Sequence, residues 1–363
     1  MTVPDPLPAS AALFEPLPQR SITLRNRIVM SPMDQYSAVD GLATDWHFVH
    51  YGGRAVGGVG AIVVEATAVR PEGRISPADL GLWKDEQIAP LARIAAFLAA
   101  QGVVPAIQIG HAGRKAGTAE PWKGGEAVPR DAGGWTPVGP GEEPYTSAHH
   151  RPRALEAAEL AGVVAAFVAA ARRAVQAGFQ VLEIHAAHGY LLHQFLSPLV
   201  NRRSDAYGGP FENRARLALE VVRAVRADWP AELPLWVRIS ATDWAEGGWA
   251  VAEAVRLASL LKDAGADLVD CSSGGAVVQQ RMAPGPGFQV PFAERVRREA
   301  GVLTGAVGLI TAPAQADAIL RAGQADVVLL GRVLLRQPTW PLLAALALGV
   351  EGTWPGQYLR GRP

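Results

Sequence analysis

The chain of 363 residues carries 34 basic and 34 acidic side chains, a pI near 7.1 and 49% hydrophobic residues, with 39 Gly and 28 Pro among the total. A composition this apolar excludes a disordered chain, and without a net field or a Lys/Arg block neither nucleic acid nor an anionic membrane is an expected partner. One cysteine, Cys271, excludes an internal disulfide and any four-cysteine zinc or iron–sulfur site, and points to a reducing, cytoplasmic compartment.

Residues 1–8 show neither the basic nor the apolar stretch of a secretory leader. The longest apolar run, 160–171, is too short to span a bilayer. Short apolar runs then predict strands over 27–33, 61–69, 105–110, 181–187, 235–240, 268–272, 308–311 and 326–331. Near-continuous apolar runs of this kind fit parallel strands covered on both faces. Between them, apolar residues at helical spacing predict helices over 86–100, 154–177, 213–228, 251–264 and 313–322. Pro313 suits a first helical position, and Gly102, Gly178, Gly265 and Gly323 stand where a glycine stops a helix.

Eight such alternations predict one α/β domain over 1–363, a (β/α)8 TIM barrel. Ahead of the first strand, the alternation of Ile22 and Leu24 predicts a hairpin that plugs the barrel bottom. Residues 113–153 are rich in Gly, Pro and Trp and lack helical periodicity, which predicts a lid after the third strand with Trp122 and Trp135 buried beneath it.

Catalytic groups of a barrel collect where strands end. Read at the predicted strand ends, the sequence offers Ser31-Pro32-Met33-Asp34-Gln35-Tyr36, Glu65-Ala66-Thr67, Gln108 to His111, His185 to Tyr190, Arg238, Cys271 to Ser273, Gly308, and Gly331-Arg332. His185 and His188 are three residues apart and Tyr190 follows, so two imidazole N–H groups could hold a carbonyl or nitro oxygen while a phenol delivers a proton. A metal pair and a pair of structural histidines compete with that reading; only Glu183 is a carboxylate close in sequence, so no metal ligand set is assigned. His47 and His50 read as ordinary helix residues, and His149-His150 as an exposed loop pair. Gly331-Arg332 with Gly308 matches the phosphate site that barrels build from their last two loops. Gln108 and Arg238 could face a heterocycle or pair with a rim carboxylate. No GxGxxG stands between a strand and a helix, which argues against a dinucleotide fold.

Several of these segments, in order, closely resemble the old yellow enzyme family of FMN-dependent ene-reductases. They are Arg27-Ile28-Val29-Met30-Ser31-Pro32-Met33, His111-Ala112-Gly113-Arg114-Lys115, His185-Ala186-Ala187-His188-Gly189-Tyr190-Leu191, and the stretch from Asn201 to Arg214. The likeness runs from about Leu13 to Arg360, and Gln357-Tyr358-Leu359-Arg360-Gly361 resembles the thermophilic-like branch. The resemblance implies bound FMN with NADPH or NADH as hydride donor and an activated alkene (an enone, maleimide or nitroalkene) as acceptor. It implies Ser31, Pro32, Met33, Ala66, Gln108 and Arg238 along the flavin, and Gly308, Gly331 and Arg332 on its phosphate. It implies His185 and His188 on the substrate's activating group, Tyr190 as proton donor, and Tyr36 against the substrate. Arg360, in a tail over 350–363, is implied to reach a neighbouring subunit's site, in a homodimer or a tetramer of dimers. Where that branch usually carries a cysteine beside the flavin, this sequence has Asp34, expected within reach of flavin or substrate with its carboxyl pKa raised by burial.

Overall fold

The computed structural model describes residues 11–363, so the expectation for residues 1–8 falls outside it. The chain enters with a hairpin, β1 (Leu17–Gln19) and β2 (Ile22–Leu24), then β3 (Ile28–Met30), α1 (Asp45–Val56), β4 (Ala61–Ala68), α2 (Ile88–Ala100) and β5 (Val104–Gly110). A pair of two-residue strands follows, β6 (Val138–Gly139) and β7 (Arg153–Ala154), then α3 (Ala157–Gln176), β8 (Val181–Ala186), α4 (Leu191–Leu196), α5 (Phe211–Asp228) and β9 (Leu235–Ser240). The remainder runs α6 (Val251–Asp263), β10 (Leu268–Ser272), α7 (Val290–Ala300), β11 (Leu303–Ala306), α8 (Pro313–Arg321), β12 (Val327–Leu330), α9 (Arg332–Arg336) and α10 (Trp340–Ala347).

Strands β3, β4, β5, β8, β9, β10, β11 and β12 pair in parallel and close on one another, a (β/α)8 barrel with helices outside. Helix α3 shows why the helices lie where they do. Leu160, Val163, Phe167, Ala170, Ala171 and Ala174 recur at three- and four-residue steps and are all buried. Gly102, Gly178, Gly265 and Gly323 all have positive φ past a helix end, as their sequence positions required.

A strand's side chains alternate faces, and here the alternation sorts the two cores. Ile62, Ile107, Leu182, Val237 and Cys271 face the helices. Val63, Ala106, Val181, Trp236, Leu268 and Val327 face the barrel axis, and Leu17, Ile22 and Leu24 of the hairpin pack on them from below. The expected plug is therefore present.

Three expectations need correction. The seventh barrel strand is β11, not residues 308–311; two apolar runs stand side by side there, and positive φ at Gly308 and Leu309 turns the second one out of the barrel. Trp122 is 68% exposed; it meets Tyr36 edge-on with ring centroids 5.5 Å apart, while Trp135 is half-buried and donates to the Glu72 carbonyl. Cys271 lies at a strand end but points outward among the helices, away from the mouth. Segment 113–153 contains three short 3-10 turns and an isolated bridge between Thr118 and Ala127 besides the β6–β7 pair. No helix among the described residues is long and apolar enough to cross a membrane.

Candidate active site

Two residues beyond the apolar axial layer, the inward positions turn polar. They are Glu65 on β4, Gln108 on β5, Glu183 on β8, Arg238 on β9 and Asp270 on β10, each buried. Register pairs them across the sheet. Gln108 stands opposite Glu183 and donates to it at 2.7 Å; Arg238 stands opposite Asp270, with Nε 2.9 Å from the carboxylate. Arg238 and Gln108 thus do meet carboxylates, as one of the two sequence readings held, yet Glu183 Oε2 and Asp270 Oδ1 are left without a partner. Burial, opposed in part by Arg238, raises both carboxyls, Glu183 to about 8 and Asp270 to about 6.

One step further out stand His185, Ser240 and Ser272. His185 is buried, and its Nδ1 accepts from the Ala187 N–H at 3.3 Å, which leaves the Nε2 proton for a ligand. His188 sits at φ 59°, an uncommon conformation for a non-glycine residue; its N–H donates to Ser240 Oγ, and its Nε2 lies 2.7 Å from Ser272 Oγ. The two imidazoles meet edge to face at 5.2 Å, and the Tyr190 ring lies 5.0 Å from that of His185. Burial, then the Arg238 charge, hold both imidazoles well below the usual histidine range, so they are neutral donors. Burial, then the acids Asp34 and Asp79, hold the Tyr190 phenol well above its usual range, so it keeps its proton. Gly189 is required here: a Cβ would stand 1.9 Å from the Gly275 carbonyl, so the loop after β8 lies directly on the loop after β10.

The opposite wall comes from the segment after β3. Met33, Asp34 and Tyr36 are half-buried, and Tyr36 has φ 49°. Asp34 Oδ1 is sealed from solvent without a partner. Burial, then Asp79 and Glu65, hold the Asp34 carboxyl well above the usual range, in the direction expected. Ala66 and His185 line a small cleft together with Thr67, Asp79, His111 and Tyr190.

The last two barrel loops form a cavity of about 210 Å³ lined by Gly308, Gly331, Arg332 and Arg336. Gly331 sits against Met33, its Cβ position 3.4 Å from the sulfur. Ser31, whose N–H donates to the Leu330 carbonyl, and Met33 therefore lie beside this cavity. Arg360 lies apart from all of these, on the exposed 3-10 turn Gly356–Gly361.

Other groups went unnoticed in the sequence. Asp243 accepts from Ser197 Oγ at 2.6 Å and lies 3.0 Å from His193 Nε2, while His193 Nδ1 accepts from the Gly189 N–H at 2.8 Å. This buried pair braces the loop that carries His188 and Tyr190. Lys115 Nζ donates to the His188 carbonyl and stands 5.1 Å over the Tyr190 ring. His47 is no ordinary helix residue; it caps α1 through Thr44 and approaches Glu65 at 3.4 Å. His149 and His150 are half-buried and hydrogen-bonded, not freely exposed. Their partners lie in loops whose folding no local pattern announces.

A profile of the NADH:flavin oxidoreductase / NADH oxidase family matches residues 12–348. An NADPH dehydrogenase of Geobacillus thermodenitrificans (strain NG80-2) is 48% identical over 354 residues, 97% of this chain and 99% of that one. The chain belongs to the old yellow enzyme family. Among solved structures, morphinone reductase in complex with tetrahydroNAD superposes with a TM-score of 0.78 at 30% identity, over 95% of this chain and 93% of that one. The old yellow enzyme homologue from Zymomonas mobilis gives 0.77 at 26% identity, over 97% and 98%. The chain is an NAD(P)H:FMN oxidoreductase. Its mouth suits FMN: an amide and a guanidinium at the floor, unpaired carboxyl oxygens beneath them, and a glycine–arginine cavity for the phosphate.

Proposed function

We propose that this enzyme is an ene-reductase acting on activated alkenes: enones, maleimides and nitroalkenes. The observation that carries the reading is the neutral His185–His188 pair in ring contact, with the protonated Tyr190 ring against His185. FMN, when bound, supplies hydride storage between NAD(P)H and the β-carbon of the alkene.

In this reading Ser31, Pro32, Met33, Ala66, Gln108 and Arg238 hold the flavin ring, and Gly308, Gly331 and Arg332 its phosphate. His185 and His188 donate N–H groups to the carbonyl or nitro oxygen, drawing electron density from the double bond and leaving the β-carbon electrophilic. Neutral imidazoles suit this task, since they stabilise the developing oxyanion without surrendering a proton to it. Tyr190 gives its proton to the α-carbon. Its raised pKa keeps the phenol protonated until a strongly basic enolate-like centre forms beside it. Tyr36 and Asp34 bound the substrate from the opposite wall. Segment 113–153 covers the mouth as a lid, the edge contact of Trp122 with Tyr36 supporting that role.

The tail is assigned to a neighbouring subunit in a homodimer or dimer-based tetramer. Tyr358 and Leu359 are large apolar residues left 46% and 56% exposed beside Arg360, a surface suited to burial against a second copy. Tyr190→Phe tests the mechanism. Stopped-flow should show flavin reduction by NADPH nearly intact and reoxidation by an enone slowed roughly 10²- to 10⁴-fold. Equal damage to both half-reactions removes Tyr190 as the proton donor.

A further inference from the structure

Beside the mouth lies a second cavity, of about 480 Å³, framed by the 113–153 segment and the loops that follow α4, β9 and β10. Its lining combines three guanidinium groups, Arg114, Arg202 and Arg281, with the aromatic rings of Tyr145 and Trp244 and the carboxylates of Glu143 and Glu246.

The three arginines differ in kind. Arg114 is 95% buried and fixed: it donates to the Glu143 and Ala276 carbonyls, and its Nε has no partner. Arg202 and Arg281 are exposed, and among the described residues neither side chain has an ion-pair partner. Two free guanidinium groups next to a buried one make a place for a multiply charged anion, which Arg binds through forked contacts. Aromatic faces suit a heterocyclic base, and a carboxylate suits ribose hydroxyls. Taken together, this is the chemistry of a phosphorylated nucleoside.

The cavity also adjoins the cleft. Lys115 Nζ stands 4.5 Å from the Tyr145 ring on one side and 5.1 Å from the Tyr190 ring on the other. Trp244 donates to Ser273, the neighbour of the Ser272 that holds His188. A ligand with one end in the cavity can therefore present its other end at the mouth.

We propose that this cavity docks the phosphate-bearing adenosine half of the reduced nicotinamide dinucleotide, with Arg202 and Arg281 on its 2′-phosphate, and that these two residues favour NADPH over NADH. The proposal rests on the NAD(P)H:FMN oxidoreductase activity and not on the identity of the alkene.

The test uses flavin-loaded Arg202→Ala, Arg281→Ala and the double variant. In anaerobic stopped-flow, the Kd for NADPH should rise roughly tenfold per arginine. The limiting rate of flavin reduction should stay unchanged, and the Kd for NADH should move far less. Independently, adenosine 2′,5′-bisphosphate titrated calorimetrically into the holoenzyme should bind the wild type and not the double variant. An unaltered NADPH Kd, or bisphosphate binding that survives both substitutions, overturns the assignment. Because only flavin reduction and nucleotide binding are read, a failure of the alkene-reductase reading shows up separately, as absent reoxidation.

Discussion

The two ends of the barrel are built from the same eight strands and the same two-residue alternation, yet they are finished in opposite ways. At the bottom the axial positions are Val, Ala, Leu and Trp, and the hairpin closes over them. The Trp236 indole there donates to Gln19 Oε1 at 2.7 Å, and Gln19 Nε2 is a buried polar atom at this end without a hydrogen-bond partner. At the mouth the axial positions are Glu, Gln, Arg, Asp and His, and more of the buried polar atoms have no partner: Asp34 Oδ1, His111 Nε2, Glu183 Oε2 and Asp270 Oδ1. Unsatisfied polar atoms cost free energy, so a fold keeps them where a ligand or a reaction uses them. Stability is thus concentrated at one end and chemistry at the other.

Substitutions at the two ends should separate cleanly. The largest effect is expected at the mouth. His188→Ala removes one of two oxyanion donors and should lower turnover on an enone by roughly 10²- to 10³-fold, about 3 kcal/mol, with the thermal midpoint little changed. Weakened binding of a phenolic inhibitor would accompany it; full turnover in the variant would disprove the donor role. At the bottom, Leu24→Ala should cost about 3 kcal/mol of folding free energy while leaving kcat intact. Loss of activity in protein that remains folded would show that the two ends are coupled.

A smaller effect lies in the dependence on pH. The Glu183 carboxyl is raised by folding, so the native state holds a proton that the unfolded chain releases. Its contribution to stability is fully present below the usual carboxyl range and is lost as pH rises toward about 8. Glu183→Gln has no such titration, so its midpoint relative to wild type should climb steadily across that window. A difference that stays flat with pH would mean that Glu183 is ionised in the native protein. The smallest change is expected for Asp34→Cys: the flavin midpoint potential should shift, along with the enantiomeric ratio on a prochiral enone, without abolition of turnover. If potential, rate and ratio all match wild type, Asp34 has no part in the site.

The barrel was legible in the sequence because its signals are local: parallel-strand runs, helical spacing in α3, and four glycines past helix ends. The histidine pair and Tyr190 were legible because they share one strand end. What escaped was non-local. His193 and Asp243 lie fifty residues apart, and Glu65 and Asp79 join Asp34 only because β4 and its following loop fold back beside β3. The misplaced seventh strand had a different cause, two adjacent apolar runs that only backbone geometry at Gly308 and Leu309 distinguishes. Trp122 escaped because its one aromatic partner, Tyr36, is also supplied from a distant segment.

The most direct measurement is a single anaerobic turnover of the wild-type holoenzyme. One equivalent of NADPH should bleach the flavin, and a cyclic enone added next should restore the yellow colour with one equivalent of the saturated ketone formed per flavin. A flavin that stays bleached until oxygen is admitted, with no saturated ketone formed from any enone, maleimide or nitroalkene, would contradict alkene reduction as the chemistry of this mouth.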